Sequence, residues 1–274
     1  MLEQKLSKEI LSRITNAIYE VYGHDFRYYS AASLSRRLLV TMDQLKSVDI
    51  DTFMDDILSN KNSFKCLLGN LSINVTSMFR DPLMFRYLKE SILPRLATYP
   101  HIRIWSAGVA SGEEAYSIAI LLKEAGLYHR SLIYATDFNP MVLRKAFKGQ
   151  VELERMPEYT QKYMEAGGEK SFSNYYTTSV HYAHMREELR ENIVFSSHNL
   201  ATDHVFNEFH FIICRNVLIY FGEKLQESVI NLFRLSLSPR GYLCLGSKES
   251  LDPKNREGRY FDCLSKMNQV YRVI

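Results

Sequence analysis

From residue 100 onward, short β-branched and aromatic runs alternate with helical stretches, and this alternation constrains the fold more than any other feature of the chain. Residues 102–107 (Ile-Arg-Ile-Trp-Ser-Ala) read as a strand ending at Gly108, and a helix follows over 113–125, stopped by Gly126. The next strand covers 132–137 and a helix opens near Pro140. Further strands are predicted at 193–196, 211–214, 242–245 and 269–273. A helix over about 223–237 ends at the turn Ser238-Pro239-Arg240-Gly241. Strands separated by helices need crossover connections, so the expectation is an α/β fold with a mostly parallel, doubly wound sheet.

Residues 1–80 read instead as helices only. Ile10, Ile14, Ala17, Ile18 and Val21 recur at helical spacing behind a mixed-charge start, and Gly23 closes that helix. Further helices are expected at 33–39, 50–58 and 63–71. The segment carries 10 basic and 9 acidic residues, so it is no basic arm overall. Arg27, Arg36, Arg37 and Lys46 against Asp43 make the second helix locally basic, which suits either a solvated face or one that docks on an acidic partner. The stretch from 156 to 192 breaks the strand–helix alternation. It holds Gly167-Gly168 and the β-prone run 175–180, and it is too long for a plain loop, so an inserted subdomain is expected.

Formal net charge is +3, from 34 basic and 31 acidic residues, which argues against a protein held on nucleic acid by bulk charge. The cysteines Cys66, Cys214, Cys244 and Cys263 form no CxxC clamp and no dense disulfide framework, so a reducing cytoplasm fits. The N-terminus lacks a signal peptide's apolar stretch, and no apolar run approaches the ~20 residues that span a bilayer. A soluble cytoplasmic protein is the expectation. His181-x-x-His184 lacks the further ligands that a metal site needs, so no metal is expected.

Four constellations carry chemistry. In Trp105–Glu114 a strand ends in small residues and glycine and a helix begins at once, so the backbone can approach a ligand and the helix start can meet an anionic part of it. The spacing is GxxxG, which is neither a dinucleotide fingerprint, nor a P-loop, nor a nucleophile elbow; a tight turn explains it as well. Asp137, 29 residues after Gly108, can accept both hydroxyls of a ribose, or serve as a helix cap ahead of Pro140. Residues 74–82 (Asn-Val-Thr-Ser-Met-Phe-Arg-Asp-Pro) lie between the helical part and the sheet, where a second domain can close over a ligand. Their alternative reading is a cap plus a surface Arg–Asp pair. In residues 214–221 (Cys-Arg-Asn-Val-Leu-Ile-Tyr-Phe) a buried strand runs into polar residues, and ligand contact and helix capping both account for Asn216.

These constellations, with Ala135-Thr136-Asp137 and Asn199-Leu200, follow one another in the order N-x-T-x-F-F-R-[DE], W-S-A…G-E-E, A-[ST]-D, N-L and C-R-N-V-x-I-Y-F. The chain therefore resembles the chemotaxis receptor methyltransferases, the CheR-type family of protein-glutamate O-methyltransferases. The resemblance runs from about residue 15 to the C-terminus. It departs at Met78, Val109-Ala110 and Ala115, and the stretch 150–192 is long and unusual for the family.

The resemblance implies a Rossmann-like S-adenosylmethionine-dependent methyltransferase sheet over 81–274 with an inserted β-subdomain at about 156–192. A small all-helical N-terminal domain over 1–80 would be a candidate for receptor docking. The implied activity is methyl transfer from S-adenosylmethionine to glutamate carboxylates on the cytoplasmic helices of chemoreceptors, leaving S-adenosylhomocysteine. By motif position, Asn74, Thr76 and Arg80 would contact the cofactor, Glu114 would lie beside its methionine or nucleoside part, and Asp137 would hold the ribose. Asn199 and Leu200 would flank the adenine, Asn216 and Val217 would close the site, and Arg80 and Tyr220 would orient the reacting groups. The implied partners are chemoreceptors or related signalling proteins, with a receptor C-terminal peptide as a further occupant of the inserted subdomain. Contact with the membrane would be only through the receptor. Rival readings are a methyltransferase for another acceptor and a non-catalytic module that senses S-adenosylmethionine.

Overall fold

Helix ends in the N-terminal region are set by side-chain caps. In the computed structural model, which describes residues 6–72, 76–251 and 260–274, α1 (Lys8–Tyr22) starts where the Ser7 side chain accepts from the Ile10 amide. It ends at Gly23, whose φ of 73° lets its amide turn back to the Tyr19 carbonyl. α2 (Ala31–Leu45) begins earlier and runs longer than the sequence suggested. α3 (Ile50–Ser59) is capped by Asp49 and α4 (Lys61–Leu71) by Asn60.

The described residues 6–72 form one unit with 200–204 and 217–231. Its core holds Ile14, Ile18, Leu38, Phe53, Ile57 and Leu67, and Tyr22 stacks on Phe64. The buried stripe of α1 is Leu11, Ile14, Thr15 and Ile18, while Val21, expected on the apolar face, is 54% exposed. The basic face of α2 is also less free than its composition suggests. Arg27 pairs with Asp25 and covers the Tyr19 ring, and Arg37 turns inward to donate to the Asn70 carbonyl at 2.5 Å. Arg36 and Lys46 stay exposed.

The remaining described residues, 76–199, 205–216, 232–251 and 260–274, form the second unit. Its strands are β1 (Ile102–Ala107), β2 (Ser131–Asp137), β3 (Gln150–Glu152), β4 (Tyr176–Thr178), β5 (Tyr182–Met185), β6 (Ile193–Ser197), β7 (Phe209–Cys214), β8 (Leu237–Leu245), β9 (Phe261–Ser265) and β10 (Val270–Val273). Seven of them form a sheet in the order β6-β2-β1-β7-β8-β10-β9. From β6 to β8 the pairs are parallel, while β10 runs antiparallel to both β8 and β9. Trp105 is fully buried in β1, its indole Nε1 donating to Thr136 Oγ1 at 2.8 Å.

Helices α5 (Pro82–Tyr87) and α6 (Leu93–Leu96) flank a π-helical turn at Leu88–Ile92 and precede the sheet. α7 (Glu113–Glu124) and α8 (Pro140–Lys148) follow β1 and β2, and α10 (Glu223–Ser236) precedes β8. Between α8 and β6 lies a three-stranded antiparallel sheet in the order β3-β5-β4, with α9 (Met156–Glu165) between β3 and β4.

Three features differ from the sequence reading. The turn expected at 238–241 belongs to β8, which bulges there: Phe209 faces Leu237 and Phe211 faces Tyr242, with Arg240 at φ 61°. β9 was not foreseen, because its Phe-Asp-Cys-Leu-Ser lies on a sheet edge with Phe261 buried and the other four residues half-buried, and it shows neither a continuous apolar run nor a clean alternation. The stretch 156–192, marked by its β-prone run, opens with a helix. Among the described residues, no helix is long and apolar enough to cross a membrane.

Candidate functional site

The chain runs outward from β1 to β2 and, after the small sheet, to β6, then returns to β7 on the other side of β1. β1 and β7 therefore flank the topological switch point of the sheet, and ligands of open α/β sheets lie beyond the carboxyl ends of strands at such a point. Those ends here are Gly108, Asp137 and Arg215.

The turn after β1 is tied to β2 by hydrogen bonds. The Gly108 and Val109 amides both donate to the Thr136 carbonyl, at 2.8 and 2.9 Å, and the Ala110 amide donates to Asp137 Oδ2 at 3.0 Å. Ala110 sits at φ 50° and Gly112 at φ 97°. At Gly112 a side chain has no room: a Cβ would stand 2.9 Å from Ala146 Cβ and 3.0 Å from its Cα. Asp137 accepts from the Asn139 amide as well, and Asn139 itself caps α8 by accepting from Met141. Of the two readings of Asp137, the helix cap is thereby taken by its neighbour. Burial pushes the Asp137 carboxyl above its ordinary range, against the pull of the Asn139, Ala110 and Phe138 amides.

Glu114, in the first turn of α7, accepts from Ser106 Oγ at 2.8 Å, and its other oxygen lies 3.6 Å from Arg215 Nη1. Burial raises its carboxyl too, opposed by Arg215, the Ser106 hydroxyl and the more distant charge of Arg80, and reinforced by Glu249. The Arg215 side chain is only 2% exposed. It donates to the Arg80 carbonyl at 2.9 Å and pairs with the Asp81 carboxylate.

Phe79 and Asp81, on either side of Arg80, stand at φ 49° and 58°, in the region that non-glycine residues rarely enter. The Phe79 amide donates to Ser117 Oγ at 2.9 Å and its ring packs against Phe85, Tyr163 and Phe172. Strained residues persist where the surroundings over-determine them, and they gather at functional sites. Asn216 is another, at φ 60°, with its amide on Glu249 Oε2 at 2.8 Å and its Oδ1 buried without a hydrogen-bond partner among the described residues. A cleft of about 370 Å³ opens beside Asp81 and Arg215, walled by Met84, Leu245 and Met267.

Thr76, Arg80, Glu114, Asp137 and Asn216 thus occupy this unit, with Asn199 just after β6, whereas Asn74 lies outside the described residues. Leu200, Val217 and Tyr220 belong to the helical unit. There the Tyr220 carbonyl accepts from Ser30 at 2.8 Å, and its ring lies 5.3 Å from the Arg37 guanidinium. Sequence reasoning missed Ser106, Arg215 and Glu249. Arg215 lay inside a quoted motif, and a charge at the end of an apolar strand was its signal. Glu249 had none. His184 Nε2 lies 3.2 Å from Ser179 Oγ, and among the described residues no group of three or more His, Cys, Asp or Glu could hold a metal ion.

The donor set fits S-adenosylmethionine: two buried carboxylates, Asp137 and Glu114, suit a ribose diol and an ammonium, and the orphaned Asn216 amide oxygen suits the ammonium as well. With the glycine turn at the switch point, these features define a Rossmann-like S-adenosylmethionine-dependent methyltransferase. The family model described as CheR methyltransferase, SAM binding domain, matches residues 74–267, and that of the CheR methyltransferase all-alpha domain matches 9–72. The chain belongs to the CheR methyltransferase family.

Among its relatives, a protein named as putative methyltransferase Cher3 of Pseudomonas putida is 44% identical over 259 residues, 94% of each chain. The chemotaxis protein methyltransferase of Salmonella typhimurium is 31% identical over 264 residues, covering 92% of this chain and 87% of that one. That of Borreliella burgdorferi is 30% identical over 270 residues, 91% of each.

Proposed function

We propose that this methyltransferase esterifies glutamate side chains on the cytoplasmic helices of chemoreceptors. The relatives named chemotaxis protein methyltransferases support that class of acceptor. The observation that carries the chemistry is Arg80. Its carbonyl is pinned by Arg215 and its charge reaches Glu114, yet among the described residues its guanidinium donates no hydrogen bond. Such a fork is available to a carboxylate.

A glutamate carboxylate, with an ordinary pKa near 4.3, is already ionised at neutral pH, so the acceptor needs no general base. S-adenosylmethionine supplies an electrophilic methyl group on a sulfonium. What the protein must add is alignment at about 3–3.5 Å and exclusion of water, since the reaction neutralises charge. In this reading Asp137 accepts from ribose hydroxyls, Glu114 and the Asn216 amide oxygen accept from an ammonium, Thr76 and Asn199 flank the ligand, and Arg80 orients the reacting carboxylate.

The test uses methyl-labelled S-adenosylmethionine with membrane and soluble fractions from cells lacking this protein. Mild alkali then releases methanol from carboxyl methyl esters. Volatile label from the membrane fraction is the expected result. Volatile label from soluble proteins alone moves the acceptor, and alkali-stable label removes the carboxylate mechanism.

A further inference from the structure

Arg155 stands between β3 and α9, in a stretch to which the sequence assigned no part in the chemistry. Its Nη2 donates to the Thr76 carbonyl at 2.7 Å, and its Nη1 lies 3.5 Å from Oε1 of Glu113. The guanidinium covers the Tyr159 ring, 4.9 Å from its centroid, so α9 fixes the fork from one side. Glu113 is the buried first residue of α7 and takes a further hydrogen bond from Ser111 Oγ at 2.7 Å. Two turns further along α9, Lys162 Nζ reaches Ser77 Oγ at 3.0 Å. Segment 76–81 is thus held at both ends by arginines, Arg155 on the Thr76 carbonyl and Arg215 on the Arg80 carbonyl.

We infer that Arg155 is a positioning residue for cofactor binding: one guanidinium fork fixes the spacing between the segment bearing Thr76 and Arg80 and the helix start bearing Glu114. The inference rests on reading those two segments as the cofactor site. The planar fork matters because two acceptors on different segments are met at once, which a lysine ammonium on a flexible stem matches poorly. The Arg155 side chain is 32% exposed, and the buried Glu113 carboxylate keeps the Ser111 hydroxyl when the fork is removed, so the loss is expected to read in ligand affinity ahead of the fold.

The experiment titrates S-adenosylhomocysteine into the whole protein by calorimetry and follows thermal unfolding of the ligand-free chain. Arg155→Gln weakens binding about tenfold or more, while the unfolding temperature of the free protein moves by no more than about two degrees. Arg155→Lys falls between Arg155→Gln and wild type. Lys123→Gln, which breaks the pair with Glu188 away from the site, binds as wild type does. Wild-type affinity in Arg155→Gln overturns the inference alone. So does a weakening matched by an equal loss in Lys123→Gln, or by a large fall in unfolding temperature. A wild-type chain that binds no S-adenosylhomocysteine overturns the cofactor-site reading as well.

Discussion

The Asp137 carboxylate accepts the Ala110 amide at 3.0 Å and so fastens the end of β2 to the apex of the turn that follows β1. In the proposed reading the same group both shapes the turn and accepts ribose hydroxyls. A carboxylate has about four acceptor positions. The Ala110 amide takes one on Oδ2, the Asn139 amide one on Oδ1, and the Phe138 amide also pulls on the group, which leaves a position for a ribose hydroxyl in the proposed reading. Asp137→Ala is expected to weaken S-adenosylhomocysteine at least tenfold, about 1.4 kcal/mol, by calorimetry. An unchanged dissociation constant would leave Asp137 as a fastener of the turn only.

Gly112→Ala tests the turn from the other side. The added methyl meets the Cβ and Cα of Ala146, and a backbone atom cannot swing away as the end of a side chain can. With φ at 97°, the new residue is also strained in itself. Denaturant unfolding is expected to lose about 1–3 kcal/mol, with cofactor affinity falling in parallel. Wild-type stability would mean that α8 retreats at little cost.

The parallel strands and the glycine turn were legible because the strands are continuous apolar runs buried on both faces, as β1 and β7 are. β9 was hidden because an edge strand needs apolar side chains on one face only. Asp137 stood out in the sequence from its place at the end of a strand, since ligands of open α/β sheets lie beyond strand ends. Glu249 could not. It is buried by a contact 33 residues back, to the Asn216 amide, and nothing local marks that pairing. The inward turn of Arg37 onto the Asn70 carbonyl was equally closed to sequence, because composition counts a charge wherever its guanidinium points.

Arg80→Ala is expected to lower turnover about a hundredfold or more while the protein unfolds at its usual temperature. The fold should survive because what binds this segment is the Arg80 carbonyl, held by Arg215, and the backbone keeps that group whatever the side chain. Steady-state methyl transfer alongside a thermal melt checks both halves. Turnover near wild type would remove Arg80 from the reaction.

Asp137 and Glu114 also set a pH dependence whose sign can be worked out. Both carboxyls are raised above their ordinary values of 3.8 and 4.5 by burial. A group raised in the folded state contributes stability that is full below its unfolded pKa and is lost as pH rises through the folded one. For the ligand-free protein, these two groups therefore add stability as pH falls through their folded values toward 3.8 and 4.5. Carboxyls lowered in the fold, such as Asp25 beside Arg27 and Asp49 at the start of α3, act the other way, but only below their ordinary range. Ligand binding runs opposite to the raised pair. Ribose hydroxyls and an ammonium donate to carboxylates, so binding selects the ionised forms and weakens as acidification protonates them. Calorimetry of S-adenosylhomocysteine across that window should show affinity falling while the free protein's unfolding temperature holds or rises. Asp137→Asn should flatten the affinity profile. Affinity that stays level through the window in the wild type would mean that neither carboxylate meets the ligand.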